Sequence, residues 1–208
     1  MDSQRDRARS RSRDRALPSR PRVDFAALNA AIKSARSAGE LRELGRARGA
    51  DFSAMQHAMI CTACTRFRGD DVGAAVVCAL AARAWLRCER GSPGRNARNA
   101  ACTYYALAKV RMHRAKLPAD VAAHIDVSAL IGDMGRDASS MSRDFNAQEA
   151  ANSLWAAATL GVHDDAIMGP LAAACVAQSR TFNAQNAVNS LWAAATLGVR
   201  DDAIVGPL

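Results

Sequence analysis

The chain has 208 residues, half of them hydrophobic, and a formal net charge of +8. That length can bury one continuous core. No apolar run approaches the roughly 18 residues of a membrane span, the longest (Val72 to Ala82) running straight into Arg83, so no membrane insertion is expected.

The charge is uneven. The first 22 residues hold eight arginines (Arg5, Arg7, Arg9, Arg11, Arg13, Arg15, Arg20, Arg22) against Asp2, Asp6 and Asp14, a net +5, while the other 186 carry 20 basic and 17 acidic side chains, a net +3. Residues 1–24 are therefore expected to be a disordered Arg/Ser-rich arm, suited to non-specific phosphate contact, and residues 25–208 an α-helical repeat domain. The same arm also reads as a plain solvated tail or a partial targeting sequence, although its three aspartates argue against a clean mitochondrial presequence. The nearly neutral body leaves long-range attraction for phosphate mainly to the arm. Alanine dominates the apolar content and β-branched runs are few, which predicts an all-α fold with closely approaching helices. Cys61, Cys64, Cys78, Cys88, Cys102 and Cys175 follow no regular framework and no secretory signal precedes them, so free thiols in a reducing or neutral compartment are expected.

In chain order, Leu28 and Ile32 one turn apart predict an amphipathic helix from Phe25 to Ala38, and Glu40 to Arg46 reads as a second after Gly39. Val72 to Cys88 is another and holds Trp85. Gly91-Ser92-Pro93-Gly94 reads as a turn, and Pro118 breaks the chain before a long helical stretch from Ala119 towards Met141, which Gly132 and Gly135 are expected to divide.

The strongest signal is internal duplication. Residues 145–171 and 182–208 match at all but four of 27 positions: Glu149/Asn186, Ala151/Val188, His163/Arg200 and Met168/Val205. Used as a ruler, the motif finds a weaker copy at Arg95 to Val110, with Tyr104-Tyr105 where Leu154-Trp155 stands later, and a faint one at Phe52 to Phe67. Copies starting near 52, 95, 145 and 182 imply repeats of 37 to 50 residues. Within a copy, Asn146 caps a helix with Glu149 completing a capping box, and Gly161 supplies a left-handed stop. Ala147, Ala151, Leu154 and Ala158 share an apolar face. Asp164 or Asp165 caps a second helix towards Arg180, in which Pro170 should cause a kink or delay the start, and Asp201, Asp202 and Pro207 repeat the arrangement. Such hairpins bury their faces only by stacking, which predicts a right-handed α-solenoid of helix-turn-helix repeats. The fourth copy stops at Leu208 inside its second helix, so the chain is expected to be truncated at its C-terminus.

The element Phe-x-x-Gln-x-x-x-Asn-x-Leu-Trp-Ala-x-Ala-x-Leu-Gly, at Phe145 to Gly161 and Phe182 to Gly198, resembles the octotricopeptide repeat, itself similar to helical repeats of FAST kinase-domain and RAP-type proteins. The resemblance implies an RNA-binding solenoid that acts on mitochondrial or chloroplast transcripts, in their processing, stability or translation. The second copy departs by Arg95 for phenylalanine and Cys102 for asparagine, and the first keeps neither the Gln nor the Leu-Trp pair. The alternating Arg and Ser of the arm leave the nucleus and cytoplasm open.

Candidate contacts to single-stranded RNA are Gln148 and Gln185, whose amides suit base edges or structure equally. Glu149, Asn186, His163 and Arg200 join them because they vary between near-identical copies, as either a base reader or drift after duplication would produce. Arg5, Arg7, Arg9, Arg11, Arg13 and Arg15 are the candidate phosphate contacts. Asn152 and Asn189 lie beside the apolar stripe and read first as structural, fixing register by buried hydrogen bonds. Phe145, Phe182, Trp155 and Trp192 read as packing anchors. His57, Cys61 and Cys64 share a helical face, and Cys78 or Cys88 would complete a metal set, but buried cysteines serve more often as small apolar residues, and no metal or cofactor is expected. His113, His124 and His163 have no spaced catalytic partner, and Asp164-Asp165 suits a cap, so neither a catalytic site nor a small-molecule substrate is expected. A protein-interaction scaffold is the alternative function, and protein partners fit the neutral body. As anchors, the tryptophans predict a loss of about 3–5 kcal/mol for Trp155→Ala in a denaturant titration.

Overall fold

Asp24 accepts a hydrogen bond from the Ala27 amide at 3.0 Å and so starts the first helix, α1 (Phe25–Ser34). The computed structural model describes residues 23–67, 69 and 71–198. The arginines from Arg5 to Arg15, Arg200 and the second helix expected after Asp201 lie outside the described residues. The helices that follow are α2 (Ala38–Arg48), α3 (Ala54–Cys64), α4 (Asp71–Arg87), α5 (Ala97–Lys109), α6 (Ala119–Ala122), α7 (Val127–Ser140), α8 (Ala147–Leu160), α9 (Asp165–Gln178) and α10 (Ala184–Thr196). No strand occurs among the described residues.

Three expectations are corrected. The first predicted helix ends at Ser34 rather than Ala38, because Ser37 caps a new one by accepting from the Glu40 amide at 3.1 Å, which leaves Gly39 inside α2. The stretch after Pro118 divides at residues 123–126, where Asp126 accepts from the Ala129 amide, and α7 runs unbroken through Gly132 and Gly135. Gly135 serves a close approach instead: a Cβ there would lie 3.1 Å from Ile167 Cδ1 and from Tyr104 Oη. Pro170 does not delay α9, which begins at Asp165 under the cap of Asp164 and passes through the proline.

The repeat is visible as geometry well beyond its sequence match. Before each first helix the chain reaches extended backbone, at Phe52, Phe145 and Phe182 directly after a one-turn 3-10 segment. Ser53, Asn96, Asn146 and Asn183 then occupy the cap positions, with Gln56, Asn99, Glu149 and Asn186 three residues on. Asn146 and Glu149 make the reciprocal capping box, at 3.1 and 2.9 Å. In the faint first copy the Ser53 amide donates to Gln56 Oε1 at 3.0 Å. At the far end Gly161 and Gly198 adopt φ of 73° and 69°, and Arg111 holds the same left-handed position with φ of 54° without being glycine. The 50-residue spacing between the second and third copies follows from the extra connection that carries α6.

The helices lie in two layers. α3, α5, α8 and α10 pack side by side in that order, with α1 beside α3, while α2, α4, α7 and α9 form the second layer. Alanines fill the seams, among them Ala100, Ala106, Ala150, Ala156, Ala157 and Ala193, all fully buried.

One polar clamp joins α4 and α7 of the second layer to the segment that leads into α5. Asp137 of α7 accepts from Trp85 Nε1 at 2.8 Å and from Arg95 Nη2 at 2.5 Å, and Arg95 Nη1 donates to the Trp85 carbonyl at 2.6 Å near the end of α4. The Arg95 guanidinium also lies 5.1 Å from the Trp85 ring. Both charged side chains are almost wholly buried, so each depends on the other. This explains the departure of the second copy: Arg95 stands where Phe145 and Phe182 stand in the later copies because α7 offers it a carboxylate. Asp137→Ala strands the buried guanidinium and should cost about 3–5 kcal/mol in a urea titration. A loss below about 1 kcal/mol would show that the arginine reaches water.

Candidate functional site

Three first-layer helices, α5, α8 and α10, share a stripe on the side turned away from the second layer. It falls at every fourth, then third residue: Gln148, Asn152, Trp155 and Thr159 on α8, and Gln185, Asn189, Trp192 and Thr196 on α10. On α5 the same register places Arg98, Cys102, Tyr105 and Lys109 there. None of the twelve is buried.

Stacking of the helices turns these stripes into rows. Tyr105 and Trp155 have ring centroids 5.3 Å apart, and Trp155 and Trp192 6.1 Å apart, so three helices contribute one continuous aromatic ladder. Lys109 lies over the Tyr105 ring at 5.9 Å. A second row is polar: Asn189 Nδ2 donates to Asn152 Oδ1 at 3.2 Å, and Gln185 Nε2 donates to Asn189 Oδ1 at 2.8 Å. The bond between the asparagines fixes the register of α8 against α10, and both residues are only half-buried, on the stripe itself. Gln148 is exposed beside them.

The tryptophans are not the buried anchors their repetition suggested. Trp155 is half-buried with its ring between two others, while Trp192 is 46% exposed. The anchoring task falls to Trp85, Tyr104 and Leu107, which are fully buried, and to Phe145. Burial raises the Tyr104 hydroxyl well above its ordinary value, and its oxygen has no hydrogen-bond partner among the described residues.

The residues that vary between copies separate. Glu149 is engaged in its cap, and Asn186 is buried, 5% exposed, its backbone N–H donating to Asn183 Oδ1 at 2.9 Å. His163 is exposed next to the cap of α9, at the turn following α8 and away from the stripe. Of the varying residues, none that is described faces the ladder. Arg98, Tyr105 and Lys109 were not singled out from the sequence, although the alignment of Tyr105 with Trp155 carried the signal.

The cysteine group also divides. Cys61 donates to the Cys78 carbonyl at 3.6 Å. The Cys64 thiol is held well above its ordinary value by its hydrogen bond with Cys78 and by burial, and the Cys78 thiol by its hydrogen bond with Cys61 and by burial, which keeps both protonated. His57 faces elsewhere, edge-on to Phe52 at 5.6 Å, with its pKa lowered by burial. Among the described residues no group of three or more His, Cys, Asp or Glu is placed to hold a metal, and no described helix is long and apolar enough to cross a membrane. An apolar cleft of about 410 Å³ opens between α2, α3 and α4, lined by Leu41, Phe52, Ile60, Val77 and Leu80 with Arg42 and Arg46 at its rim.

The chain matches no protein-family model, no curated protein and no solved structure.

Exposure separates the two ladder tryptophans. Trp155→Ala should cost about 3 kcal/mol because it opens the ladder at its middle, and Trp192→Ala less than about 1.5 kcal/mol. Equal losses in paired denaturant titrations would contradict the graded burial.

Proposed function

We propose that this chain is an RNA-binding helical-repeat protein of octotricopeptide type, a right-handed α-solenoid that holds single-stranded RNA on the stripe of α5, α8 and α10. The observation that supports it is the alignment of amides, aromatic rings and cations in rows across successive helices. Amides recognise base edges by paired hydrogen bonds, aromatic faces accept stacked bases irrespective of sequence, and Arg98 and Lys109 stand where a phosphate backbone would pass. The ladder rings already touch one another, so bases lie across its outer face rather than slotting between rings. Gln148 and Gln185 are the base-edge contacts in this reading, and the arginines of the arm, from Arg5 to Arg15, add salt-dependent affinity. In this reading the transcripts are mitochondrial or chloroplast ones, as the resemblance of the motif implies.

A protein-interaction scaffold is the second reading. It draws on the nearly neutral body and on the apolar cleft between α2 and α4.

Fluorescence anisotropy with labelled single-stranded RNA tests the first reading. The combined change Gln148→Ala and Gln185→Ala removes about two amide contacts and should weaken binding roughly 10-fold or more, with helix content unchanged. Deletion of residues 1–22 should flatten the salt dependence yet leave binding measurable. Loss of all binding on that deletion, or indifference to the glutamine changes, would remove the stripe as the reader.

A further inference from the structure

The apolar cleft between α2, α3 and α4 lies between helices rather than on the outer face of an end helix. Two second-layer helices form its sides, and α3 of the first layer forms its floor. Leu41, Gly45 and Gly49 follow at every fourth residue along one side, about 12 Å of helical rise. Val77, Leu80 and Ala84 line the other, with Ile60 and His57 beneath. The chain leaves this space unfilled. A Cβ at Gly45 or Gly49 would meet nothing within 4 Å. Glycine weakens a helix interior, so a larger side chain at Gly45 would strengthen α2 and fill the cleft at once, yet none stands there. Leu80, 43% exposed, keeps an apolar edge in water.

Charge is confined to the rim and has one sign. Arg42 and Arg46 line the cleft one turn apart, and no described carboxylate lines it. Arg46 is paired with Glu43 at 2.7 Å, whereas Arg42 has no ion pair among the described residues. Burial lowers the pKa of His57, so the floor is uncharged at neutral pH. Size narrows the occupant. The cleft of about 410 Å³ falls within the roughly 300–1,000 Å³ of small-molecule sites. A dozen residues line it, fewer than the roughly 20–30 a side of a stable protein interface.

We infer that the cleft binds a single-chain carboxylate amphiphile, with its alkyl tail along Leu41, Ile60, Val77 and Leu80 and its carboxylate on Arg42. The tail leaves water for the apolar interior, and the guanidinium offers the carboxylate charge-assisted hydrogen bonds. The open space beside Gly45 and Gly49 is what the tail occupies. An ammonium of the same chain length would bury the same tail but meet like charge at the rim. The cleft thereby goes to a small ligand instead of the protein partner of the scaffold reading, and none of this rests on the RNA reading.

Isothermal titration calorimetry of the full chain, freed of nucleic acid by nuclease treatment, tests it with sodium laurate below its micelle-forming concentration. One equivalent should bind, and dodecylammonium should bind at least roughly 10-fold more weakly. Arg42→Gln removes the charged contact and should weaken laurate roughly 10-fold while leaving dodecylammonium no weaker. Gly45→Leu fills the cleft and should abolish laurate binding with the melting temperature equal to or above that of the wild type, so the loss is not one of folding. The arginines of residues 1–22 attract any carboxylate, and Gly45→Leu leaves them untouched, which separates the cleft from the arm. The inference is overturned if laurate shows no saturable binding, if Gly45→Leu binds it as the wild type does, or if dodecylammonium binds as tightly as laurate.

Discussion

The α8–α10 seam sets everything else in the molecule. Alanine and serine on one side of each helix let the next come close, and closeness gives the dispersion contacts that these small side chains cannot collect at longer range. A single hairpin with so few large residues buries little apolar surface, so each depends on its neighbours for a core. The same closeness brings Trp155 to Trp192 and Asn152 to Asn189. The rows of the stripe are a by-product of that packing, and they exist only while the register holds.

Much of the architecture was legible in the sequence because the duplication is recent enough to print its own ruler. The caps at Asn146 and Asn183, the left-handed stop at Gly161 and the apolar side of α8 each follow from a local rule and appear where expected. The misplaced boundaries have local causes too: Ser37 and Asp126 are stronger starting signals than Gly39, Gly132 or Gly135 are breaking ones, and a glycine inside a helix can serve a neighbour's close approach. The clamp of Trp85, Arg95 and Asp137 was illegible for a different reason. Asp137 lies 42 residues from Arg95 and 52 from Trp85 in the chain, and no periodicity links them. The same distance from any local rule hid why Arg95 takes the place of a phenylalanine.

For the surface, repetition misled as much as it informed. Two tryptophans in identical contexts suggested buried anchors, yet their positions lie on the stripe, where their rings pair with each other and with Tyr105. Residues that vary between copies suggested a reading code, yet Glu149 is occupied in its cap and Asn186 is buried. What the helix geometry brings forward is a set of unvaried glutamines and rings, with Arg98 and Lys109 extending it on α5. That pattern suits a ligand gripped along its length more than one read by the differences between the last two copies.

The most direct test of this account asks whether the two duplicated hairpins lie side by side with their rings in contact. Indoles 6.1 Å apart and tilted by 39° couple their excited states, which gives an exciton couplet in far-ultraviolet circular dichroism. The account predicts a couplet in the intact chain that disappears equally with Trp155→Phe or Trp192→Phe and persists with Trp85→Phe. A spectrum equal to the sum of isolated indoles would place the hairpins apart and contradict the seam on which the fold and the stripe are built.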